Sequence, residues 1–287
     1  MNEIPDDWPN RPYSRHVTLG TITWHIQTMG NGPVLLFLHG AGASAHSWAP
    51  LIEGLTPDYT CIAIDLPGHG FTSGARSFQL GLRGITDEVE HLLVDQGIAP
   101  EMLIGHSAGA AVAVTLADRI GKPPIIAING AFQSFEGLAG VLFPLIAKSM
   151  VAVPFVRDFF TVPLAQSANI KTLIDGTGTV LPPEKLKHYR TLLRRRSHIT
   201  GTLGMMAQWN LSRDMPKAMQ ITAPTHFIQA ADDRTVEMED TAAFRQRVID
   251  AKETVFKVGG HLIHEMQPDL ILPIIKDAMK GVQTAQT

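Results

Sequence analysis

The chain has 287 residues, 45% hydrophobic and 18% charged, enough to bury a full core in one large α/β domain with room for an inserted subdomain. A formal net charge of -3, with no run of like charge longer than Arg194-Arg195-Arg196, gives no global attraction to phosphate backbones and sets nucleic acid aside as a partner. A single cysteine, Cys61, excludes an intramolecular disulfide and fits a reducing compartment; Asp6, Asp7, Trp8 and Pro9 stand where a signal peptide needs a basic start and an apolar run, so a cytoplasmic location is expected.

From His16 to Met29 the β-formers on both sides of Gly20 predict two strands joined by a tight turn, so the sheet opens antiparallel. Val34 to Leu38 is a continuous apolar strand of the kind buried on both faces, and it runs into His39-Gly40-Ala41-Gly42. A short helix over His46 to Leu55 follows, then a strand over Tyr59 to Ile64 ending in Asp65-Leu66-Pro67-Gly68-His69-Gly70. Leu82, Ile85, Val89, Leu92 and Leu93 recur at helical spacing over Leu82 to Val94, with Gly97 near the expected C-cap. Met102 to Ala113 then reads as strand, sharp turn and helix around Gly105-His106-Ser107-Ala108-Gly109. Ile125 to Ile128 is a further buried strand, closing on Asn129-Gly130. Strands alternating with helices in this way predict a mainly parallel sheet with both faces covered and ligands outside the carboxyl ends of the strands.

Between residues 131 and 216 the alternation stops, and aromatic, apolar and proline-bearing segments take over. A helical insertion over the site is expected there, with residues 1–130 and 217–287 forming the core domain. The longest uncharged apolar run, between Glu136 and Lys148, is broken by Gly137, Gly140 and Pro144 and is too short to span a bilayer. The α/β rhythm resumes with a strand over Thr225 to Ala230, a helix over Glu239 to Val248, a strand over Thr254 to Val258 and a terminal helix over Leu262 to Met279.

Chemistry is legible at the ends of these strands. A serine hydroxyl is a poor nucleophile until an adjacent base accepts its proton and an acid orients that base. Ser107 sits at a G-x-S-x-G turn, a nucleophile elbow whose flanking glycines avoid collisions with the neighbouring strand and helix. Downstream, the order Ser, Asp, His is completed by Asp232-Asp233 and by Gly259-Gly260-His261, each following a predicted strand. His261 is favoured as the base, because the two glycines let its loop approach the serine, whereas His264 reads as a core or capping histidine. Asp233 is favoured as the acid over Asp232 because Asp233-Arg234-Thr235-Val236 matches D-x-x-V, with Asp232 left open as the alternative. Two backbone N–H groups, those of Ala41 and Ala108, are expected to form an oxyanion hole.

Residues expected to border the substrate are His39, Gly40, Phe132, Met205, Met206 and Trp209. Bracing of its loop is the alternative for His39, and packing within the insertion is the alternative for Met205, Met206 and Trp209. The spacing of His261, His264 and Glu265 matches no zinc signature, and no phosphate-binding or dinucleotide glycine motif is present, so neither a metal nor another cofactor is expected.

These motifs together, with Trp48, Asp65 to Gly70, Glu265 and Pro268, resemble the α/β-hydrolase superfamily over essentially the whole chain. The acid loop departs from the usual pattern in lacking a glycine before the acid and a proline after it. Within the superfamily the chain is similar to hydrolase-like proteins encoded with bacteriochlorophyll synthesis, through Asp7 to Asn10, Trp24 to Gln27, Asn129 to Phe132, Gly137 to Gly140, Gly176-Thr177-Gly178 and Leu203 to Met206 with Trp209. That resemblance implies an α/β-hydrolase fold and a role in the magnesium-porphyrin branch, with a small apolar or porphyrin-like substrate and magnesium chelatase as a candidate partner. Ester hydrolysis and passive porphyrin delivery are the two functions to be weighed. Lys185, Lys187, Arg190 and Arg194 to Arg196 could pair with propionates or anionic lipid, although a solvated helix face is the simpler reading. The segment Leu138 to Phe160 could touch a membrane surface peripherally, although packing within the insertion is the simpler reading.

Overall fold

The computed structural model describes residues 3–133, 167–215 and 220–286. Its strands are β1 (Ser14–Leu19), β2 (Ile22–Met29), β3 (Val34–Leu38), β4 (Thr60–Ile64), β5 (Met102–His106), β6 (Ile125–Ile128), β7 (Thr225–Ala230) and β8 (Ala251–Phe256). They form one sheet in the order β1-β2-β4-β3-β5-β6-β7-β8. β1 pairs antiparallel with β2 and β2 with β4, and every pairing from β4 to β8 is parallel. The opening hairpin turns at Gly20, which holds φ 59°, a conformation that favours glycine.

The core lies in two layers because the inner strands alternate faces. Leu36, Leu38, Ile62, Ile64 and Leu103 meet α2 (Leu82–Asp95) and α3 (Ala108–Ala117) on one side. Leu35, Phe37, Cys61, Met102 and Ile104 meet α1 (Ala49–Leu55) and the terminal helix on the other. α3 is buried along its whole length, and its small residues let it sit directly on the sheet.

Two elements differ most from the sequence expectation. β8 begins at Ala251 rather than Thr254, because an edge strand with one exposed face accepts Lys252 and Glu253 in its ladder. The expected terminal helix is two helices. The short α9 (Ile263–Met266) ends before Pro268, whose ring disfavours helical geometry at Gln267, and α10 (Pro268–Gln286) starts with that proline.

Between β6 and β7 the described residues form α4 (Ser167–Asp175), α5 (Pro183–Leu193), α6 (Arg196–Gln208) and α7 (Leu211–Asp214), followed after β7 by α8 (Met238–Arg245). The segment Leu138 to Phe160, considered above for membrane contact, lies outside the described residues. No helix among the described residues is long and apolar enough to cross a membrane.

Candidate active site

β5 ends at His106 and α3 begins at Ala108, so Ser107 alone makes the turn, at φ 53° and ψ -120°. Holding a side chain there costs on the order of 1–3 kcal/mol, and the strain persists because the surroundings fix it. Ser107 N–H donates to Ile128 C=O at 3.0 Å, and Ser107 C=O accepts from Ala131 N–H at 3.0 Å. The neighbouring glycines are required by close approach: a Cβ on Gly109 would lie 2.0 Å from the Leu38 carbonyl oxygen, and one on Gly105 2.6 Å from Ala110 Cα. Gly40 is as tightly placed, since a Cβ on it would stand 2.9 Å from Ser107 Cβ. The loop after β3 therefore lies directly against the serine.

The loops after β7 and β8 bring the other two groups together. His261 Nδ1–H donates to Asp233 Oδ2 at 2.7 Å, with the side chains 8% and 2% exposed. Asp233 Oδ1 accepts from the N–H groups of Thr235 at 2.7 Å and Val236 at 3.2 Å, which fixes the carboxylate. This bond commits Nδ1 and leaves Nε2 as the basic nitrogen of the imidazole. Asp232 turns elsewhere and accepts Gly260 N–H at 2.8 Å. The His261 ring lies 4.6 Å, centroid to centroid, from His106, the residue before the serine.

Several side chains hold this arrangement from behind. His106 Nε2–H donates to His261 C=O at 2.9 Å. Asn129, in the left-handed region at φ 44°, donates from Nδ2 to Gly260 C=O at 3.0 Å and His261 C=O at 2.9 Å, and accepts Ala230 N–H at 3.0 Å. From sequence alone Asn129 is marked only as the end of a predicted strand. Its polar side chain at a strand end, in a chain position that tolerates positive φ, is the signal that marks it.

His39 is fully buried, with Nδ1–H on Gly40 C=O at 2.8 Å and Nε2 accepting Leu66 N–H at 2.9 Å. Both nitrogens are committed, so its side chain braces the loop rather than facing a substrate. Burial lowers its pKa and keeps it neutral. Asp65 does the same work on the adjoining loop, accepting Ala45 N–H, Phe71 N–H and His25 Nδ1–H, each at 2.7 Å. Burial alone would raise its pKa, but His25 and these donors hold the carboxyl well below the usual range.

His198 of α6, which the sequence reading passed over, accepts Gly70 N–H at 3.0 Å and donates to Gly42 C=O at 3.2 Å. Burial pushes its pKa down to about 3. The loop after β3 is thus held by α6 at Gly42 and by its own His39 at Leu66. Among the described residues the N–H groups of Ala41 and Ala108 donate to no other group, and Ala108 opens a helix whose first-turn donors lack intrahelical partners.

The other expected pocket residues divide. Phe132 stacks on Phe244 with centroids 4.0 Å apart, and Phe132, Met205 and Trp209 all belong to the main core cluster. Met206 is half-buried. His264 is fully buried between Trp48 and His106, with centroids at 4.7 and 4.2 Å, and burial drives its pKa well down. Among the described residues no group of three or more His, Cys, Asp or Glu is arranged to hold a metal.

Three residues of the basic stretch make contacts within the molecule. Lys185 donates to Glu265 C=O, Lys187 pairs with Asp7 at 2.9 Å, and the Arg195 guanidinium lies 4.4 Å from the Phe71 ring centroid.

A sheet with this order, an elbow after its central strand and an aspartate–histidine pair on the loops after β7 and β8 define a class, and residues 35–273 match the model of the alpha/beta hydrolase family: the chain belongs to that family. It is 36% identical over 281 residues to the magnesium-chelatase 30 kDa subunit of Rhodobacter capsulatus, covering 97% of this chain and 98% of that protein. It is 26% identical to the pimeloyl-[acyl-carrier protein] methyl ester esterase of Nitrosospira multiformis, over 88% of this chain and 96% of that one. A laboratory-evolved variant of potato epoxide hydrolase shares the fold, with a TM-score of 0.78 at 19% identity, covering 93% of this chain and 99% of that structure.

Proposed function

We propose that this protein is a serine hydrolase of ester-type bonds, in which Ser107 attacks, His261 takes and returns the proton, and Asp233 orients the imidazole. The observation that carries this is the Asp233–His261 bond of 2.7 Å, with the His261 ring 4.6 Å from the ring of His106, the residue that precedes a serine held at φ 53°. Ala41 and Ala108 N–H would receive the oxyanion, and backbone donors aimed there contribute several kcal/mol to acyl transfer in such sites. Serine at the apex argues against the aspartyl-ester chemistry of nucleophilic carboxylates. In this reading residues 131–216 form a cap over the core, and the substrate enters between them.

The likeness to a protein named as a magnesium-chelatase subunit supports a place in or near the magnesium-porphyrin branch, in the cytoplasm, on a small apolar or porphyrin-like ester. The same likeness favours a second reading, in which the protein binds or delivers such a ligand to magnesium chelatase and the triad is not used. Two experiments separate them. A fluorophosphonate probe is expected to label the wild type at Ser107 and to leave Ser107→Ala untouched; an unlabelled, folded wild type would count against the nucleophile. In a pigment-deficient strain lacking its own copy, Ser107→Ala is expected to fail to restore pigment at normal protein level, and full rescue would favour delivery.

A further inference from the structure

Gly176-Thr177-Gly178-Thr179, the segment that follows α4, meets both loops that carry the acid and the base. The Thr177 carbonyl accepts His261 N–H at 3.2 Å and Arg234 N–H at 3.3 Å, so one oxygen bridges the loop after β8 and the loop after β7. Thr179 Oγ1 accepts Leu262 N–H at 2.9 Å, and a Cβ on Gly260 would lie 2.4 Å from the same oxygen. The segment therefore touches the residues on both sides of His261. Gly178, at φ 84°, brings its backbone against the acid loop, where a Cβ would stand 2.4 Å from the Asp232 carbonyl oxygen. Thr177 Oγ1–H donates to Ile174 C=O at 2.6 Å, which ties the segment to the end of α4. Both threonines are buried, Thr179 to 2% exposure.

The base loop needs such support. Gly259 and Gly260 precede His261 at φ 159° and 62°, and glycines leave a loop with the largest conformational freedom to lose. His106 and Asn129 restrain it through carbonyl oxygens from the core side; Thr177 and Thr179 take its N–H groups from the inserted side.

We propose that Thr177–Thr179 is a clamp through which the inserted helices set the geometry of the triad, with Thr179 as a positioning residue for His261. This rests on the serine-hydrolase reading for its catalytic consequence, but not for the clamp itself. Misplacing a reacting group by about 1 Å costs as much as 100-fold in rate, so a clamp at this point governs turnover without touching substrate.

The test uses Thr179→Val, which replaces the acceptor hydroxyl by a methyl at similar volume, and Thr179→Ser, which keeps the hydroxyl. The rate of fluorophosphonate labelling at Ser107 is followed against pH, and the low-field proton of the Asp233–His261 bond is followed by NMR. Thr179→Val is expected to label about 10- to 100-fold more slowly, with a displaced pH midpoint and faster exchange of that proton. Thr179→Ser should restore all three.

A Thr179→Val protein with lowered melting temperature but unchanged labelling rate, pH midpoint and proton exchange would reduce Thr179 to a packing residue and overturn the proposal. Should the valine variant not fold, hydrogen exchange on the wild type decides: the amides of His261 and Leu262 should open with residues 177–179 as one unit, and separate opening energies overturn the clamp. A wild type that resists labelling while its low-field proton still responds to Thr179→Val removes the nucleophile and leaves the clamp standing.

Discussion

Asp232 and Asp233 are chemically identical neighbours, yet their surroundings give them different work. Asp233 holds the imidazole and is fixed by two backbone donors, whereas Asp232 holds Gly260 N–H. Asp233→Asn disturbs the tautomer of His261 and is expected to lower kcat by about 10⁴-fold. Asp232→Asn keeps an acceptor oxygen for Gly260, and a weakened hydrogen bond of this kind costs less than about 10-fold. Steady-state kinetics on an activated ester compares the two, and equal losses would remove Asp233 from its assigned role. At this scale much was legible in the chain. Ser107, His261 and the aspartate pair are marked by local patterns, because an elbow and a glycine-framed histidine need particular neighbours. Asn129, His198, Thr177 and Thr179 were not legible as supports, because each acts on backbone groups remote in sequence that only the folded chain brings near.

Among elements, the junction of α5 with α9 carries its own pH response. Glu265 of α9 is buried under α5, where Tyr189 O–H donates to its carboxyl group and Lys185 reaches its carbonyl oxygen. Burial raises its pKa from 4.5 to about 7, outweighing the hydrogen bond from Tyr189 and the charge of Lys185. The folded state thus keeps a proton that the unfolded chain gives up at lower pH. Stability from this group is full below about pH 4.5, falls as the pH rises, and levels off above about pH 7. The loss is on the order of 3 kcal/mol. Glu265→Gln retains an acceptor for Tyr189 without the titration, so urea midpoints of the variant should exceed those of the wild type above neutrality. Parallel profiles would remove Glu265 as the source. The inner strands were readable for a physical reason, since burial on both faces leaves an unbroken apolar run; β8 was misplaced because an edge strand does not.

For the whole molecule, the inserted helices and the core share one hydrophobic cluster. Met205 and Trp209 of the inserted stretch, with Leu211 and Met215, pack in the same cluster as Leu82, Val89 and Phe227. Unfolding is therefore expected to be one transition, with tryptophan fluorescence and far-ultraviolet dichroism coinciding on a urea scale. Met205→Ala should shift both signals together by about 2–5 kcal/mol, as truncation of a buried side chain does. An early fluorescence phase alone would mean that the inserted helices melt independently. One feature of the elbow sets this stability at odds with chemistry. At φ 53° and ψ -120°, glycine suits position 107 better than serine does. A library of this chain bred for heat tolerance alone would drift toward glycine there, and it would discard the proposed nucleophile as the first step of its improvement.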